Sequence, residues 1–481
     1  MTARASKTDS TWSNQFSSLI LFGTVAAAPL PFGSTDPTAV AIWCIALGLG
    51  LITASPRGLR QEHLALLGLA GIVVVGYALV LHEQLAIRPW IASPHPLWQE
   101  AATALDIPIA PSASVVRNQP FFALGAPLAN MLAVMCSFIV CIDRGRARQL
   151  LQVVAWSGAA YAVYGIVAYL IDPNFVLWRE KTAYRDALTS TFINRNTAAV
   201  YFGSCAVLWL LLFLRQMRRT LPQGSIYWRS VPRHLLSNMR GPMILPFAML
   251  VLCLGAMLMT NSRAGIVISL MALVVAFVGY FYRDLPRRGG IVATLGVGGL
   301  IAFLLLQILG GNVSGRFDAQ GLSDEGRLET YRSTLRMIAD HPWFGTGIGT
   351  FAWSFPACRS ANVSMWGVWD RAHSTPLELA AELGLPVTGL IVLAWLIVLG
   401  ALIRGVGIRR RDLIVPVGAL SIALLGITHS VIDFSLQISG YAIPVFALVG
   451  AGLAQSFTSI KMRNEDDIGP ENTNATRLLG V

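Results

Sequence analysis

The stretch PMILPFAMLVLCLGAMLMTNSRAGIVISLMALVVAFVGYFY, residues 242–282, decides the class of this protein. It holds two apolar runs joined only by Thr260-Asn261-Ser262-Arg263, and each run as a helix can cross a hydrocarbon layer of about 30 Å. Of all 481 residues, 54% are hydrophobic and 13% are charged, whereas soluble proteins carry about 25% charged residues. The mean hydropathy of +0.60 agrees. The sequence therefore predicts an all-α, polytopic integral membrane protein and excludes soluble, fibrous and disordered classes.

Similar apolar runs recur along the chain and predict about twelve transmembrane helices. The predicted spans are 16–33, 38–54, 64–82, 121–142, 149–171, 196–214, 242–260, 264–282, 289–310, 383–403, 413–432 and 437–457. The predicted organisation is a cytoplasmic N-terminus (1–15), helices one to nine (16–310), a long outer loop (311–382), helices ten to twelve (383–457) and a polar cytoplasmic tail (458–481).

Lysine and arginine set the predicted orientation, because short cytoplasmic loops carry an excess of positive charge. With the N-terminus inside, 23 of the 36 Lys and Arg residues fall in inner segments, and the outer segments hold 16 of the 25 acidic residues. Both termini are then cytoplasmic. Segments 83–120, 172–195 and 311–382 lie outside, away from ATP and nucleotide sugars.

The formal net charge of +11 follows from these loop arginines and suits anionic lipid headgroups, so membrane lipids and not nucleic acid are the expected partners. Five of the six cysteines lie in apolar runs, and Cys358 alone lies in a polar loop. This distribution supports neither a disulfide framework nor a Cys-rich metal site.

Arg195 and Arg263 oppose the charge rule, because each sits where an outer segment enters a helix. Free N–H groups at a helix N-terminus favour an anion, and a guanidinium beside them predicts a phosphate or pyrophosphate cradle. Snorkelling to lipid headgroups, or pairing with an outer carboxylate such as Asp186, is the alternative. Four neighbouring side chains would add hydrogen bonds to an anion: Asn194, Asn196, Asn261 and Ser262.

The long outer loop contains a predicted amphipathic helix over 324–340, with an apolar stripe of Leu328, Tyr331, Leu335 and Ile338. Arg327 lies at its start, and Arg332 and Arg336 lie on a more polar face. The glycine-rich run that follows, 345–349, has no preceding strand and lacks the nucleotide-loop spacing. It predicts a tight turn.

Aromatic residues and a histidine complete the loop. Trp353, Trp366 and Trp369 fit either an interfacial aromatic belt or a platform on which sugars stack. His373, followed by Glu378 and Glu382, fits a general base toward a sugar hydroxyl, with a purely structural histidine as the alternative.

Together these segments resemble the O-antigen ligase and O-antigen polymerase superfamily of bacterial envelope enzymes. The resemblance rests on His95-Pro-Leu-Trp-Gln-Glu-Ala101, Thr191-Phe-Ile-Asn-Arg-Asn196, Asn261-Ser-Arg-Ala-Gly265, Arg327, His341-Pro-Trp-Phe-Gly-Thr-Gly-Ile-Gly349, Ala372-His-Ser374 and Gly384. It covers roughly residues 80–450. The ligase motif is His, then Asn, Ser or Gln, nine residues, Gly, two residues, then Gly, Thr or Tyr. Here its last position is Val387, with Thr388 one step late.

The resemblance implies a metal-independent glycosyltransferase of the GT-C kind in the bacterial inner membrane, with no cofactor and a periplasmic active site. Its donor would be a glycan on undecaprenyl diphosphate. Its acceptor would be a further repeat unit for a polymerase, or lipid A–core for a ligase, with polysaccharide assembly proteins as candidate partners. By motif, Arg195 and Arg263 would hold the diphosphate and His373 would lie near the acceptor hydroxyl. Arg327 and Arg332 are expected substrate-binding residues of the shared loop.

Three alternatives stay open. The imperfect ligase motif favours a polymerase-type role over a ligase. A transporter or flippase of lipid-linked oligosaccharide suits twelve spans, although such proteins place ionisable residues at mid-membrane and show internal repeats. Here the spans are nearly free of charge, apart from His429 and Asp433 near the outer end of span eleven. A structural assembly subunit would not require outward arginines.

Overall fold

The structure, a computed structural model, describes residues 2–56, 58–221, 241–285, 325–363, 368–409 and 413–457, with residues 296, 298 and 299. Four predicted features lie outside these residues: most of the ninth span (289–310), the start of the long loop (311–324), Trp366 and the tail (458–481).

Helices dominate the described residues, and the only strands among them form one short hairpin. The elements are α1 (Thr2–Ala27), α2 (Pro37–Thr53), α3 (Gln61–Leu85), α4 (Leu97–Leu105), α5 (Gln119–Ala123), α6 (Gly125–Val140), α7 (Arg144–Ile171), β1 (Phe175–Val176), β2 (Arg179–Glu180), α8 (Arg195–Thr220), α9 (Gly241–Met259), α10 (Arg263–Phe281), α11 (Glu325–Asp340), α12 (Phe351–Cys358), α13 (Thr375–Leu383), α14 (Leu385–Ile408), α15 (Ile414–Ser430), a 3₁₀ turn (Ser435–Gln437) and α16 (Ser439–Ser456). β1 and β2 pair antiparallel, with Phe175 opposite Glu180 and Val176 opposite Arg179.

A polytopic helical membrane protein, as predicted, is confirmed. Each predicted span within the described residues overlaps a helix, and the span 121–142 overlaps two, α5 and α6. In the described part, seven helices are long and apolar enough to cross a membrane, and α2 and α15 are shorter apolar helices. An apolar helix satisfies its own backbone hydrogen bonds, which is what a bilayer requires of a spanning segment.

The centre of the bundle is formed by α8, α15 and α16. Every residue of α16 except Phe446 is buried. α8 packs against α7, α9, α10 and α15, and α16 packs against α6, α14 and α15. Small residues allow this close packing: a Cβ on Gly450 would lie 2.1 Å from the Ser137 hydroxyl oxygen. In α3 and α14 only 6% and 17% of the most apolar window is buried, so these two helices present their faces to lipid.

The end of the bundle at which α8, α10, α14 and α16 begin is called the loop end here. Segments 86–118, 172–194, 341–363 and 368–374 gather at this end. The turn from 431 to 438, between α15 and α16, also lies there and is tied to the α1–α2 connection, since Gly440 N donates to Gly33 O at 2.8 Å.

Two predicted spans differ in extent from the helices observed. α1 begins far earlier than residue 16 and ends at Ala27, because Pro29 and Pro31 cannot continue the helical hydrogen bonding. The tenth span begins at Leu385, because Gly384 separates α13 from α14 with φ +83°. A Cβ at Gly384 would lie 2.2 Å from the Trp343 carbonyl oxygen, so only glycine fits this break.

The amphipathic loop helix is confirmed as α11, but its predicted apolar stripe is partly wrong. Leu328 is 46% exposed and Leu335 is 53% exposed. The buried face consists of Thr330, Ser333, Thr334, Met337 and Ile338. Hydroxyl side chains can fill this face because they find partners there. Thr330 Oγ1 donates to Gly326 O and Thr334 Oγ1 to Thr330 O within the helix, each at 2.8 Å, and Ser333 Oγ accepts from Ser360 N at 3.1 Å.

Candidate functional site

Arg195 and Arg263 each occupy the first position of a helix, as the sequence predicts. Asn194 caps α8, since its Oδ1 accepts from Asn196 N at 2.7 Å. Ser262 caps α10, since its Oγ accepts from Gly265 N at 3.3 Å. These two residue types are favoured N-caps because a short side-chain oxygen reaches the unpaired N–H groups of the first turn.

The two helix starts are joined to each other and to a buried acid. Ser262 Oγ donates to Asn196 Oδ1 at 2.8 Å, which places the first turns of α8 and α10 side by side. Asn196 Nδ2 donates to Asp433 Oδ2, and Asp433 is only 2% exposed. Asn196 therefore links the α8 and α10 starts to the turn before α16.

Tyr184 and Arg327 belong to the same group. The Arg195 guanidinium carbon lies 5.0 Å from the centre of the Tyr184 ring. Arg327 Nη1 donates to Ile432 O at 3.5 Å. Burial raises the pKa of the Tyr184 hydroxyl, Asp433 adds to this rise, and Arg195 and Arg327 oppose it. The charges of both guanidinium groups and of the carboxylate therefore affect the pKa of this phenol.

We call the group of residues at the starts of α8, α10 and α11 the arginine cluster. Its members are Tyr184, Arg195, Asn196, Ser262, Arg263, Arg327 and Asp433.

Arg332, predicted to bind substrate with Arg327, is placed differently. Its side chain is 70% exposed and forms an ion pair with Glu329 one turn earlier in α11. The contacts described do not bring it to the arginine cluster, so its predicted role stays a prediction.

His373 lies next to the arginine cluster. Its ring centre is 5.3 Å from the Phe434 ring and 5.8 Å from the Trp369 ring. Tyr331 of α11 donates to the His373 carbonyl oxygen at 2.9 Å. His373 has φ +53°, a left-handed conformation that a non-glycine residue adopts at a cost of roughly 1–3 kcal/mol. Because Phe434 follows Asp433 directly, the turn before α16 brings His373 and the arginine cluster together.

Glu378 and Glu382, expected beside His373, are hydrogen-bonded to other groups. Glu378 accepts from Arg371 Nη1 at 3.0 Å and from Ala372 N at 2.8 Å, and so fixes the chain just before the histidine. Glu382 accepts from Gly349 N and Phe351 N, each at 2.9 Å. Burial and the neighbouring Glu378 raise the pKa of Glu382 to about 8, against these two N–H groups.

The glycine-rich run is a tight turn, as predicted, with φ +64° at Gly345, +116° at Gly347 and +72° at Gly349. Gln84 of α3 holds it, donating to Phe344 O at 2.7 Å and accepting from Ile348 N at 3.0 Å.

The two His-Pro segments meet beside this turn. The His95 and His341 ring centres are 4.4 Å apart, and burial together with His341 lowers the pKa of His95 to about 4. His95 Nδ1 accepts from Leu97 N at 3.2 Å, which suits a neutral, structural ring.

A cavity of about 870 Å³ opens on the other side of the 369–375 segment, at the upper end of the size range of ligand pockets. Its walls come from α2, α3, α5, α6, α14 and α16. Its polar lining at the loop end consists of Ser34, Thr35, Gln119, Asp370, Arg371, Thr375, Glu378, Glu382, Gln437 and Ser439. Arg195, Arg263 and His373 do not line it.

The tryptophans of the predicted sugar platform lie in two different places, the cavity and the surroundings of His373. Trp353 lines the cavity and is 53% exposed. Trp369 contacts His373 and lies 6.4 Å from the Phe355 ring.

Sequence reasoning missed Tyr184 and the ion pair between Arg371 and Glu378 as parts of the site. It noted Asp433 only as an exceptional charge at the end of a span. An acid at such a place is a signal by itself, because charge in a spanning region is costly and calls for a partner. Tyr184 carries no comparable signal.

Among the residues that the structure describes, no group of three or more His, Cys, Asp or Glu side chains is placed to hold a metal ion.

Residues 248–392 match the family model described as O-antigen ligase. This match confirms the superfamily indicated by the sequence motifs. The matched range contains Arg263, Arg327 and His373, whereas Arg195 and Asp433 lie outside it. Among curated proteins, none matches the chain.

Proposed function

We propose, from the O-antigen ligase family domain at residues 248–392, that this multi-pass membrane protein moves a glycan from undecaprenyl diphosphate to an acceptor sugar. An enzyme of the O-antigen ligase and polymerase type in surface glycan assembly is what the family supports. A polymerase-type transfer to a further repeat unit is the form proposed here, with transfer to lipid A–core as the alternative.

The arginine cluster is the observation that carries this proposal. Two helix N-termini lie side by side, joined by Ser262 and Asn196, and each begins with an arginine. Helix N-termini and guanidinium groups both stabilise oxyanions, and a diphosphate carries several. The cluster is therefore suited to bind the diphosphate and to stabilise the charge that develops on it as the sugar leaves.

The proposed reaction is a single displacement at the anomeric carbon. The acceptor hydroxyl oxygen forms the new bond to that carbon, and the bond from carbon to diphosphate oxygen breaks. The electron pair of the broken bond stays on the lipid diphosphate, where Arg195, Arg263 and Arg327 stabilise it. His373 takes the hydroxyl proton and later releases it to water or to the departing diphosphate.

In this proposal arginine carries out the charge stabilisation without a divalent metal. A chelator such as EDTA is then expected to leave the rate of transfer unchanged.

The reaction is assigned to the periplasmic face of the bacterial inner membrane, with both termini in the cytoplasm. This assignment is supported by the charge bias of the loops, which puts 23 of the 36 basic residues on the opposite side from the loop end. Because ATP is absent there, the donor must already be activated, and a lipid diphosphate meets that need.

The polymerase-type choice rests on position 387. Where the ligase motif has Gly, Thr or Tyr, Val387 packs with Val80, Ile348 and Leu383 in an apolar cluster. Deletion of the gene, followed by gel profiling of surface glycan, separates the two roles. Single-repeat products support a polymerase, whereas lipid-linked polymer beside unmodified core supports a ligase.

The test of the reaction itself uses the purified full chain in liposomes with lipid-linked glycan as donor and acceptor. New glycosidic bonds are expected, and relocation of lipid-linked glycan without bond formation would replace the proposal with a flippase.

His373→Ala sharpens the same assay. We expect about a 10²–10⁴-fold loss of rate, the usual contribution of a general base. The matched control is Arg185→Ala, an exposed arginine paired with exposed Glu180 at the same end of the bundle. A His373→Ala protein that transfers at the wild-type rate would contradict the role of the histidine.

A further inference from the structure

The 870 Å³ cavity is long and mostly apolar below its polar end. Along α16 its lining reaches from Ser439 to Leu453, a helical distance of about 21 Å at 1.5 Å per residue. On the α3 side it reaches from Tyr77 down to Leu66. A space of this depth between helices that can cross a membrane is shaped for a hydrocarbon chain lying along the bilayer normal.

The polar mouth of the cavity differs in charge from the arginine cluster. Within the described residues, the mouth has one guanidinium, that of Arg371, and three carboxyl groups, those of Asp370, Glu378 and Glu382. Arg371 is bound by Glu378 at 3.0 Å and by Gln437 Oε1 at 2.7 Å. Glu378 balances the charge of Arg371, and Glu382, whose pKa is raised to about 8, is protonated at neutral pH, so the Asp370 carboxylate leaves the mouth with a net negative charge. A diphosphate at this mouth would be repelled, whereas sugar hydroxyls can bond to carboxyl groups and amides.

The cavity and the arginine cluster share one wall. Asp370, Arg371 and Thr375 line the cavity, and His373 between them contacts Phe434 beside Asp433. Thr375 Oγ1 also donates to the Asp433 carbonyl oxygen at 3.3 Å. The segment carrying the histidine therefore has the cationic group on one side and the acidic mouth on the other.

We propose that the cavity binds the hydrocarbon chain of the acceptor, a glycan anchored by a single polyprenyl-type chain, with its sugar at the acidic mouth. This inference rests on the proposed function. A displacement at the anomeric carbon brings the acceptor oxygen in opposite the departing group. With the donor diphosphate in the arginine cluster, the acceptor enters from the cavity side, and the two lipid chains occupy separate places.

The test fills the cavity with tryptophan from two walls. Val73→Trp in α3 and Ala394→Trp in α14 project into the cavity. The matched controls are the adjacent lipid-facing residues, Ile72→Trp and Leu393→Trp, which are 58% and 52% exposed. The acceptor probes are the lipid-linked single repeat from the deletion strain and the same glycan on a short prenyl chain. The donor glycan is also supplied on a long and on a short prenyl chain, so that the preference for donor chain length is measured separately.

We expect wild type and both controls to use the long-chain acceptor with at least about a tenfold lower KM than the short-chain acceptor, since the longer chain buries more methylene groups in the cavity. In the two cavity variants this acceptor preference is expected to disappear, while the preference for a long-chain donor persists. Loss of the donor preference instead would overturn the inference, because the cavity would then bind the donor.

Unchanged acceptor preference in a correctly inserted cavity variant would also overturn the inference, as would wild-type transfer to lipid A–core with no use of the single repeat. These failures differ from failure of the proposed function. If the proposed function is wrong, the wild-type protein forms no glycosidic bond with any donor and acceptor pair.

Discussion

The loop end of the protein holds arginines in two contrasting settings. In the arginine cluster, Arg195 and Arg263 begin two adjacent helices, where the positive ends of the helix dipoles add to their charge. At the cavity mouth, Arg371 lies in an ion pair with Glu378, which is 3% exposed. As defined above, the arginine cluster has three arginines and one acid, Asp433, whereas the mouth has one arginine and three acids.

The arginine cluster and the cavity mouth show that one membrane protein can use the same type of side chain for chemistry in one place and for structure in another. Arginines at two adjacent helix N-termini add to the positive potential of the helix dipoles, and this potential favours a bound anion. An arginine bound to a buried carboxylate has its charge satisfied within the fold, and it holds the chain before His373. Function is therefore expected to respond to the first kind and stability to the second.

The largest expected effect is on transfer by Arg195→Ala and Arg263→Ala. Each is expected to lower the rate about 10²–10³-fold, the usual result of removing one donor that stabilises transition-state charge. The protein should still insert and accumulate. Rates in liposomes with lipid-linked glycan check this, with Arg185→Ala as the control of unchanged rate.

An equal loss in both cluster variants and in Arg185→Ala would mean that the cluster arginines act no differently from an exposed arginine. Full complementation by both cluster variants would contradict their role in transfer.

The next effect concerns stability at the cavity mouth. Glu378→Ala removes the partner of Arg371 and the acceptor of Ala372 N, so we expect the free energy of unfolding to fall by about 2 kcal/mol, as for lost bonds to charged groups. The exposed pair of Arg185 and Glu180 provides the matched control. Glu180→Ala should change stability by about 0.5 kcal/mol or less.

Thermal unfolding of the purified proteins in detergent measures both variants. Equal stability of Glu378→Ala and wild type would mean that the ion pair at the mouth does not hold the chain.

A third effect is a pH dependence of stability from Glu382. Its pKa is raised from the ordinary 4.5 to about 8, so the folded protein holds a proton that the unfolded chain releases between these values. Stability from this group is therefore complete below 4.5 and is lost as the pH rises through about 8. The unfolding temperature of wild type should fall over this window, and Glu382→Gln should flatten the change. An unfolding temperature that rises over the window would reverse the sign and refute the raised pKa.

Much of the fold could be predicted from the sequence, because bilayer-spanning helices follow from run length and hydropathy alone. The starts of α8 and α10 could also be predicted, since Asn194 and Ser262 are N-caps that precede apolar runs. The buried face of α11 could not be predicted from the sequence. Leu328 and Leu335 have the periodicity of a core, yet loop packing buries the hydroxyl-bearing face.

The candidate site was predicted in its local parts and not in its long-range ones. The placement of Asn196 beside Ser262 and Asp433 depends on contacts across 66 and 237 positions of the chain. The cavity was not foreseen either, because it arises between six helices, and five of them, α2, α3, α6, α14 and α16, each look like an ordinary span. Periodicity along one helix carries no information about which neighbour it faces.

Binding of polyprenyl diphosphate to the purified protein tests whether the starts of α8 and α10 hold a diphosphate. Wild type is expected to bind polyprenyl diphosphate at least about tenfold more tightly than polyprenyl monophosphate, through charge-assisted bonds to the second phosphate. Arg195→Ala and Arg263→Ala should lose that preference, while Arg185→Ala keeps it. An equal preference in all four proteins would contradict the diphosphate site at the starts of α8 and α10.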